Sequence, residues 1–150
     1  MLLLAESDTK FKILINTIDQ AVGRVIDKVS TLLEIPWTPL GPGDALEKYS
    51  EGVPEQDMVE LGNSSMPGRK EFSFSGLHSQ VERYIHAQGG IENLSDAQRK
   101  AVAATFQRNA FAQIEDKIHL SLKWCESQSI YVNHLVVSGG VASNQLLRRR

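Results

Sequence analysis

Residues 134–148 read HLVVSGGVASNQLLR, and the fold class turns on how that stretch is read. Leu135, Val136 and Val137 form a short apolar run ending on Ser138, Gly139 and Gly140. Bounded by glycine and too short for a helix, the run reads as a buried strand. An amphipathic segment follows, so a helix is expected to begin near Val141. Glycine reaches positive φ without a steric penalty and lets another group approach the backbone. The first N–H groups of a helix have no intrahelical acceptor, and the positive end of its dipole lies there. A strand–glycine–helix corner therefore suits an anion or a nucleotide. Asn144, expected in the first turn, brings an amide that both donates and accepts. A tight turn with Asn144 merely exposed satisfies the same pattern, so both readings stay open. A Walker A loop is excluded, because no Lys-Ser/Thr follows the glycines.

Upstream of that corner the pattern is helical at length. Residues 95–128 place Ala101, Ala104, Phe111, Ile114, Ile118 and Leu122 close to one face. A shorter helix is expected at 76–87. Before it, EFSFSGL at 71–77 alternates Phe72 and Phe74 with Ser73 and Ser75, a half-buried strand pattern. Residues 52–70 hold two prolines, three glycines and scattered charge, and read as a surface excursion. IPWTPLGPGD at 35–44 is punctuated as loop, with a short helix expected from Asp44 to about Ser50.

Residues 18–33 carry Ile18, Val22, Val25, Val29 and Leu32 at helical spacing, with Thr17 or Asp19 as the expected cap. Asp19, Gly23 and Asp27 lie four apart and share one stripe of that helix. Asp27 points away from the apolar face. Gly23 inside a helix costs up to ~1 kcal/mol relative to Ala, which suggests a close approach. By pattern alone, a solvated acidic stripe with a packing glycine is the simpler explanation. At the start of the chain, two apolar runs flank the polar turn 6–10 and read as a hairpin. Strands alternating with long helices predict an α/β fold.

Composition narrows the classes. At 150 residues, 41% hydrophobic and 23% charged, the chain is globular in composition and fits one domain. A net charge of −2 argues against a broad nucleic-acid footprint, although Arg148, Arg149 and Arg150 make a local basic patch. The single Cys125 rules out an internal disulfide and reads as a packing residue. No apolar run approaches the ~18 residues of a membrane span, and the first residues lack the basic region of a signal peptide. His78, His86, His119 and His134 show no HxxxH or HExxH spacing, and neither a GxSxG elbow nor a CxxC pair occurs.

Four segments, in order, carry more than this. TIDQAVGRVIDKVSTLLEI, GPGDALEK, EFSFSGL and SGGVASNQLLR together resemble the tRNA N6-adenosine threonylcarbamoyltransferase family, formerly described as O-sialoglycoprotein endopeptidases. The resemblance spans most of the chain. It implies part of an actin-like ATPase fold, mostly its second lobe, so that 1–150 would be a partial domain. It implies transfer of a threonylcarbamoyl group from threonylcarbamoyl-AMP to N6 of the adenosine beside the anticodon in ANN-decoding tRNAs. By position, the family's nucleotide-binding residues fall on Asp27, Gly43 and Asn144. Asp27 would hold ribose hydroxyls, Gly43 would let the backbone close on the nucleotide, and Asn144 would bind near the adenylate. No catalytic residue is assigned.

The resemblance also implies one divalent metal ion, of iron or zinc type, whose HxxxH and later Asp ligands are absent here. The chain is accordingly expected to be a fragment, inactive alone. Asp44 departs from the family pattern, standing where relatives often have Pro. Implied partners are tRNA and threonylcarbamoyl-AMP, with a homodimer as the oligomeric expectation and no membrane. The GGVASN corner suggests the bacterial and mitochondrial branch, and the 52–70 excursion favours a mitochondrial location over a cytoplasmic, bacterial-type one. Two alternatives remain: a catalytically dead nucleotide- or partner-binding remnant, and a sugar- or acetate-kinase-like enzyme of the same fold.

Overall fold

The computed structural model describes residues 1–62 and 68–150. It is an α/β arrangement in which a small mixed sheet lies beside a helical body. Strands β1 (Leu2–Ala5) and β2 (Phe11–Thr17) pair antiparallel, from Leu2 opposite Ile15 to Ala5 opposite Phe11. The intervening turn closes through Glu6 N–H to Lys10 C=O, 2.8 Å, as the hairpin pattern predicts. Strand β3 is only Glu71–Phe72 and runs parallel to the end of β2, giving the order β1-β2-β3.

Helix α1 spans Val22–Leu32 and buries Val25, Ile26 and Val29. It starts four residues later than the periodicity predicts, and Ile18 is exposed rather than on its apolar face. Neither expected cap serves it. Ala21 holds the cap position without a side-chain bond. The Thr17 hydroxyl instead donates to Phe72 C=O, and the Asp19 carboxylate reaches across to residues 73–75.

Helix α2 (Pro42–Tyr49) begins two residues before its expected start. Pro42 occupies the first turn, where its missing N–H costs nothing and its φ is already helical. Gly41 precedes it at φ 103°, a backbone state that favours glycine. Asp44 has its own local function: it accepts from the Thr38 hydroxyl and from Lys48, and its carboxyl is held below the usual range by those two donors.

Helix α3 (Ser75–Ala87) follows β3 directly. Phe72 and Phe74 are both buried and stacked with ring centres 5.6 Å apart, so the alternation predicted burial correctly. It predicted too long a strand, because the chain turns helical at Ser75. Helix α4 (Asp96–Ser127) is the spine. Ser95 caps it in a reciprocal box with Gln98, which satisfies two of its orphan donors. Val102, Phe106, Ala110 and Phe111 fill the core against Val25, Val29, Leu46 and Val81. Beyond Phe111 the predicted stripe fails. Gln113, Lys117, Ser121 and Cys125 are buried, while Ile114 and Ile118 are half-buried and Leu122 is exposed. Gln113 shows why: its amide accepts from Ser73 N–H and donates to Ser73 C=O, both at 2.9 Å, and so prolongs the β3 ladder.

The segment expected to be the decisive strand is not one. Residues 131–138 belong to no strand or helix and make no backbone hydrogen bond among the described residues, and Val136 is 85% exposed. An apolar run becomes a strand only where a neighbour can pair its N–H and C=O groups; unpaired, those groups stay in water. The expected last helix is likewise broken. A 3-10 turn at Gly140–Ser143 gives way at Asn144 to the short helix α5, Gln145–Arg148. A helix of four residues has little dipole to offer an anion at this corner. Of the predicted excursion, 63–67 lies outside the described residues. Its earlier part runs along α4: Val59 N–H donates to Thr105 Oγ1 at 3.1 Å, and Arg108 pairs with Glu55.

Candidate nucleotide site

Three elements meet where the predicted site residues fall. On α1, Gly23 and Asp27 lie one turn apart, as do Gly43 and Glu47 on α2. The Gly139–Gly140 corner supplies Val141, Asn144 and Gln145.

Asp27 and Gly43 are neighbours. A Cβ built on Gly43 would sit 3.6 Å from Asp27 Oδ1 and 3.7 Å from Ile26 Cγ2. Asp27 is exposed, and its carboxylate has no hydrogen-bond or ionic partner among the described residues. It is thus an acceptor available to a ligand. Gly43 leaves open the space beside it that any larger residue would fill.

The corner closes on the same two helices. A Cβ on Gly23 would come within 3.2 Å of Val141 Cγ2, so the helix glycine is what lets the corner pack. The close approach at Gly23 is that of a side chain of this chain. Gln145 N–H donates to Glu47 Oε1 at 2.6 Å, tying the corner to α2.

Asn144 is 6% exposed, not lying out on a turn. Its Oδ1 accepts from Leu147 N–H at 3.1 Å, capping α5. Its Nδ2 donates to Gln107 Oε1 at 3.0 Å. Both ends of the amide therefore work within the protein, and the corner's Asn is positioned rather than free. Gln107, the partner of Asn144, is not among the residues the sequence singles out. It sits among Ala103, Phe106 and Ala110, and its signal is a glutamine on an otherwise apolar helix face.

A match to one protein family covers residues 1–150: the model describing tRNA N6-adenosine threonylcarbamoyltransferase. The chain belongs to that family. Among its relatives, the tRNA N6-adenosine threonylcarbamoyltransferase of Mycoplasmopsis agalactiae is 33% identical over 150 residues, covering 99% of this chain and 45% of that protein. That of Sinorhizobium medicae is 38% identical over 139 residues, 89% of this chain and 36% of its own length. The mitochondrial enzyme of Schizosaccharomyces pombe is 34% identical over 155 residues, 99% of this chain and 36% of its own length. The chain thus spans less than half the length of each of these relatives.

Membership in the threonylcarbamoyltransferase family carries the actin-like fold with it, and the α/β elements described here form part of that fold. The divalent metal fits less well. Among the described residues no group of three or more His, Cys, Asp or Glu could hold a metal ion. His78, for instance, faces Glu82 at 3.3 Å on its own helix. Two open depressions, ≈ 370 and ≈ 460 Å³, lie away from Asp27, Gly43 and Asn144. Neither depression is lined by the residues of the three-element junction, whose Asp27 face is open to solvent. The arginine patch is partly spent within the fold: Arg150 pairs with Glu115 and donates to Arg108 C=O, while Arg148 and Arg149 remain exposed. No helix among the described residues is long and apolar enough to cross a membrane.

Proposed function

We propose that this chain supplies the nucleotide-binding wall of an enzyme that transfers a threonylcarbamoyl group from threonylcarbamoyl-AMP to N6 of the adenosine beside the anticodon in ANN-decoding tRNAs. Because the chain spans 36–45% of the relatives cited, the reaction is proposed for a family-length polypeptide carrying these residues. The observation that carries the reading is the unpaired Asp27 carboxylate beside the side-chain-free Gly43, with Asn144 fixed at the adjoining corner. A carboxylate accepts from two vicinal ribose hydroxyls more strongly than a neutral acceptor would. Gly43 lets the sugar approach the backbone of α2. Asn144 retains one amide N–H beyond those it uses internally.

In the proposed reaction the N6 amine attacks the carbamoyl carbonyl. A C–N bond forms, the C–O bond to phosphate breaks, AMP leaves with the electron pair, and N6 gives up one proton. Asp27, Gly43 and Asn144 bind and orient the leaving nucleotide. The family's divalent metal, of iron or zinc type, would be held by residues other than those described. A homodimer is proposed for the family-length enzyme, and a mitochondrial location is proposed from the likeness to relatives named mitochondrial in Schizosaccharomyces pombe and Arabidopsis thaliana.

The test is incubation of a family-length polypeptide with tRNA, threonylcarbamoyl-AMP and metal, followed by nucleoside analysis. The expected result is threonylcarbamoyl-adenosine above a no-protein control, reduced in Asp27→Asn. Nucleotide binding without product would favour a non-catalytic binding remnant. Nucleotide-dependent phosphorylation of a small acceptor would favour the kinase alternative.

A further inference from the structure

Gln107 is 1% exposed in the middle of α4, on a face otherwise made of Ala103, Phe106, Ala110 and Phe111. Helix packing alone would favour an apolar residue there. Both ends of its amide are engaged, and the bonds have a single sense. Leu147 N–H can only donate, so Asn144 Oδ1 faces it, 3.1 Å away. Asn144 Nδ2 must then point toward Gln107, whose Oε1 accepts at 3.0 Å. That leaves Gln107 Nε2 to donate to Ser50 Oγ. The Ser50 hydroxyl in turn donates to Glu47 C=O at 3.0 Å. Glu47 also accepts from Gln145 N–H through its carboxylate, so the chain of bonds closes into a ring. The ring links the Asn144 corner, the middle of α4 and the last turn of α2.

We propose that Gln107 is a positioning residue for the adenylate site: it fixes which way the Asn144 amide faces and holds the corner at a set distance from the helix that carries Gly43. The inference rests on the nucleotide reading of Asn144 given above. The physical ground is that a buried amide with one donor-only neighbour has one satisfactory orientation, and its partner inherits that orientation. Without Gln107 the Asn144 side chain keeps its bond to Leu147 but loses the acceptor that fixes its Nδ2 end.

The experiment measures AMP affinity by calorimetry, and melting temperature separately, in a family-length polypeptide. The variants are Asn144→Ala, Gln107→Leu, their combination, Gln107→Glu and Ser50→Ala. Gln107→Leu is expected to weaken AMP binding about two- to tenfold, the span of one lost net hydrogen bond. The double variant should bind no more weakly than Asn144→Ala, because Gln107 acts through Asn144. Gln107→Glu should recover most of the affinity: burial favours the neutral carboxyl, which can still accept from Asn144 and donate to Ser50. If Gln107→Leu melts lower yet binds AMP as well as the parent, while Asn144→Ala binds poorly, the positioning role is overturned and the nucleotide reading stands. If Asn144→Ala leaves affinity unchanged, both fall together. Should Gln107→Leu fail to fold, Ser50→Ala decides: weaker AMP binding in the folded protein supports the role, and unchanged binding overturns it.

Discussion

Two segments of this chain look alike on paper and end up opposite. EFSFSGL and HLVVSGG are both apolar runs leading through serine and glycine toward a helix. The first is anchored on every side. Phe72 and Phe74 are buried, Ile18 N–H donates to Phe72 C=O at 3.0 Å, Gln113 brackets Ser73, and Asp19 accepts from Ser73 Oγ, Phe74 N–H and Ser75 N–H at 2.7, 3.0 and 3.2 Å. In the second, residues 134–138 make no such bond among the described residues and lie exposed. The difference teaches that a strand is a relation between segments. Residue pattern states which side would be apolar; the partner decides whether the strand exists.

The largest effect that could break this comparison is in the first segment. Phe72→Ala removes a ring that is 5% exposed and should cost about 3–5 kcal/mol in urea unfolding. A cost below about 1 kcal/mol would mean that the segment is no better anchored than the second.

Asp19→Ala comes next. It deletes the acceptor that serves the start of α3, and should cost about 0.5–2 kcal/mol, the range for a lost helix cap. The effect should depend on pH. Burial pushes the Asp19 carboxyl up, but the Ser73 hydroxyl and the N–H groups of Phe74, Ser75 and Gln20 outweigh it, and the net shift is downward from 3.8. A depressed folded value means the stabilisation is fully present above pH 3.8 and is lost as pH falls through the lower folded value. The melting-temperature gap between parent and Asp19→Ala should therefore be constant near neutrality and narrow only below that value. A gap that widens on acidification would contradict the bonding described.

Gly43→Ala sharpens the contrast between stability and function. The added methyl meets only ordinary contacts, and alanine is the better helix former, so stability should rise by up to ~1 kcal/mol. AMP binding by a family-length polypeptide should nevertheless weaken. A variant that binds AMP as well as its parent would remove Gly43 from the site. The smallest effect belongs to the exposed run, where Val136→Ser should change stability by no more than ~0.5 kcal/mol. Hydrogen exchange reads the same contrast residue by residue. The amides of Ile18 and Ser73 should be protected, and those of 134–137 should exchange at unprotected rates.

What the sequence conveyed follows the same division. Helices α1 to α4 were legible because their periodicity is local, and so was the hairpin, whose turn chemistry is local. The start of α1 was not, because Asp19 looks like a cap for the helix it precedes and instead caps α3, more than fifty residues away in the chain. The second half of α4 departs from the predicted stripe because Gln113 and Lys117 are buried against polar partners, which a hydrophobic periodicity does not register. Of the candidate site, the resemblance points to Asp27 and Gly43, and the fold puts those two side by side. Asn144 was placed there too, but not its burial. Gln107 stands out in the sequence only as a glutamine on an apolar helix face; its partners on α5 and at the end of α2 come together only in three dimensions.

The most direct test of the central claim, that α1, α2 and the glycine corner together hold an adenylate, is calorimetric titration of AMP into a family-length polypeptide and its Asp27→Asn variant at constant melting temperature. Loss of a charged acceptor for the ribose predicts weakening of roughly tenfold or more. Equal affinity in the two proteins would contradict the account, leaving Asp27 a solvated charge on the face of a helix.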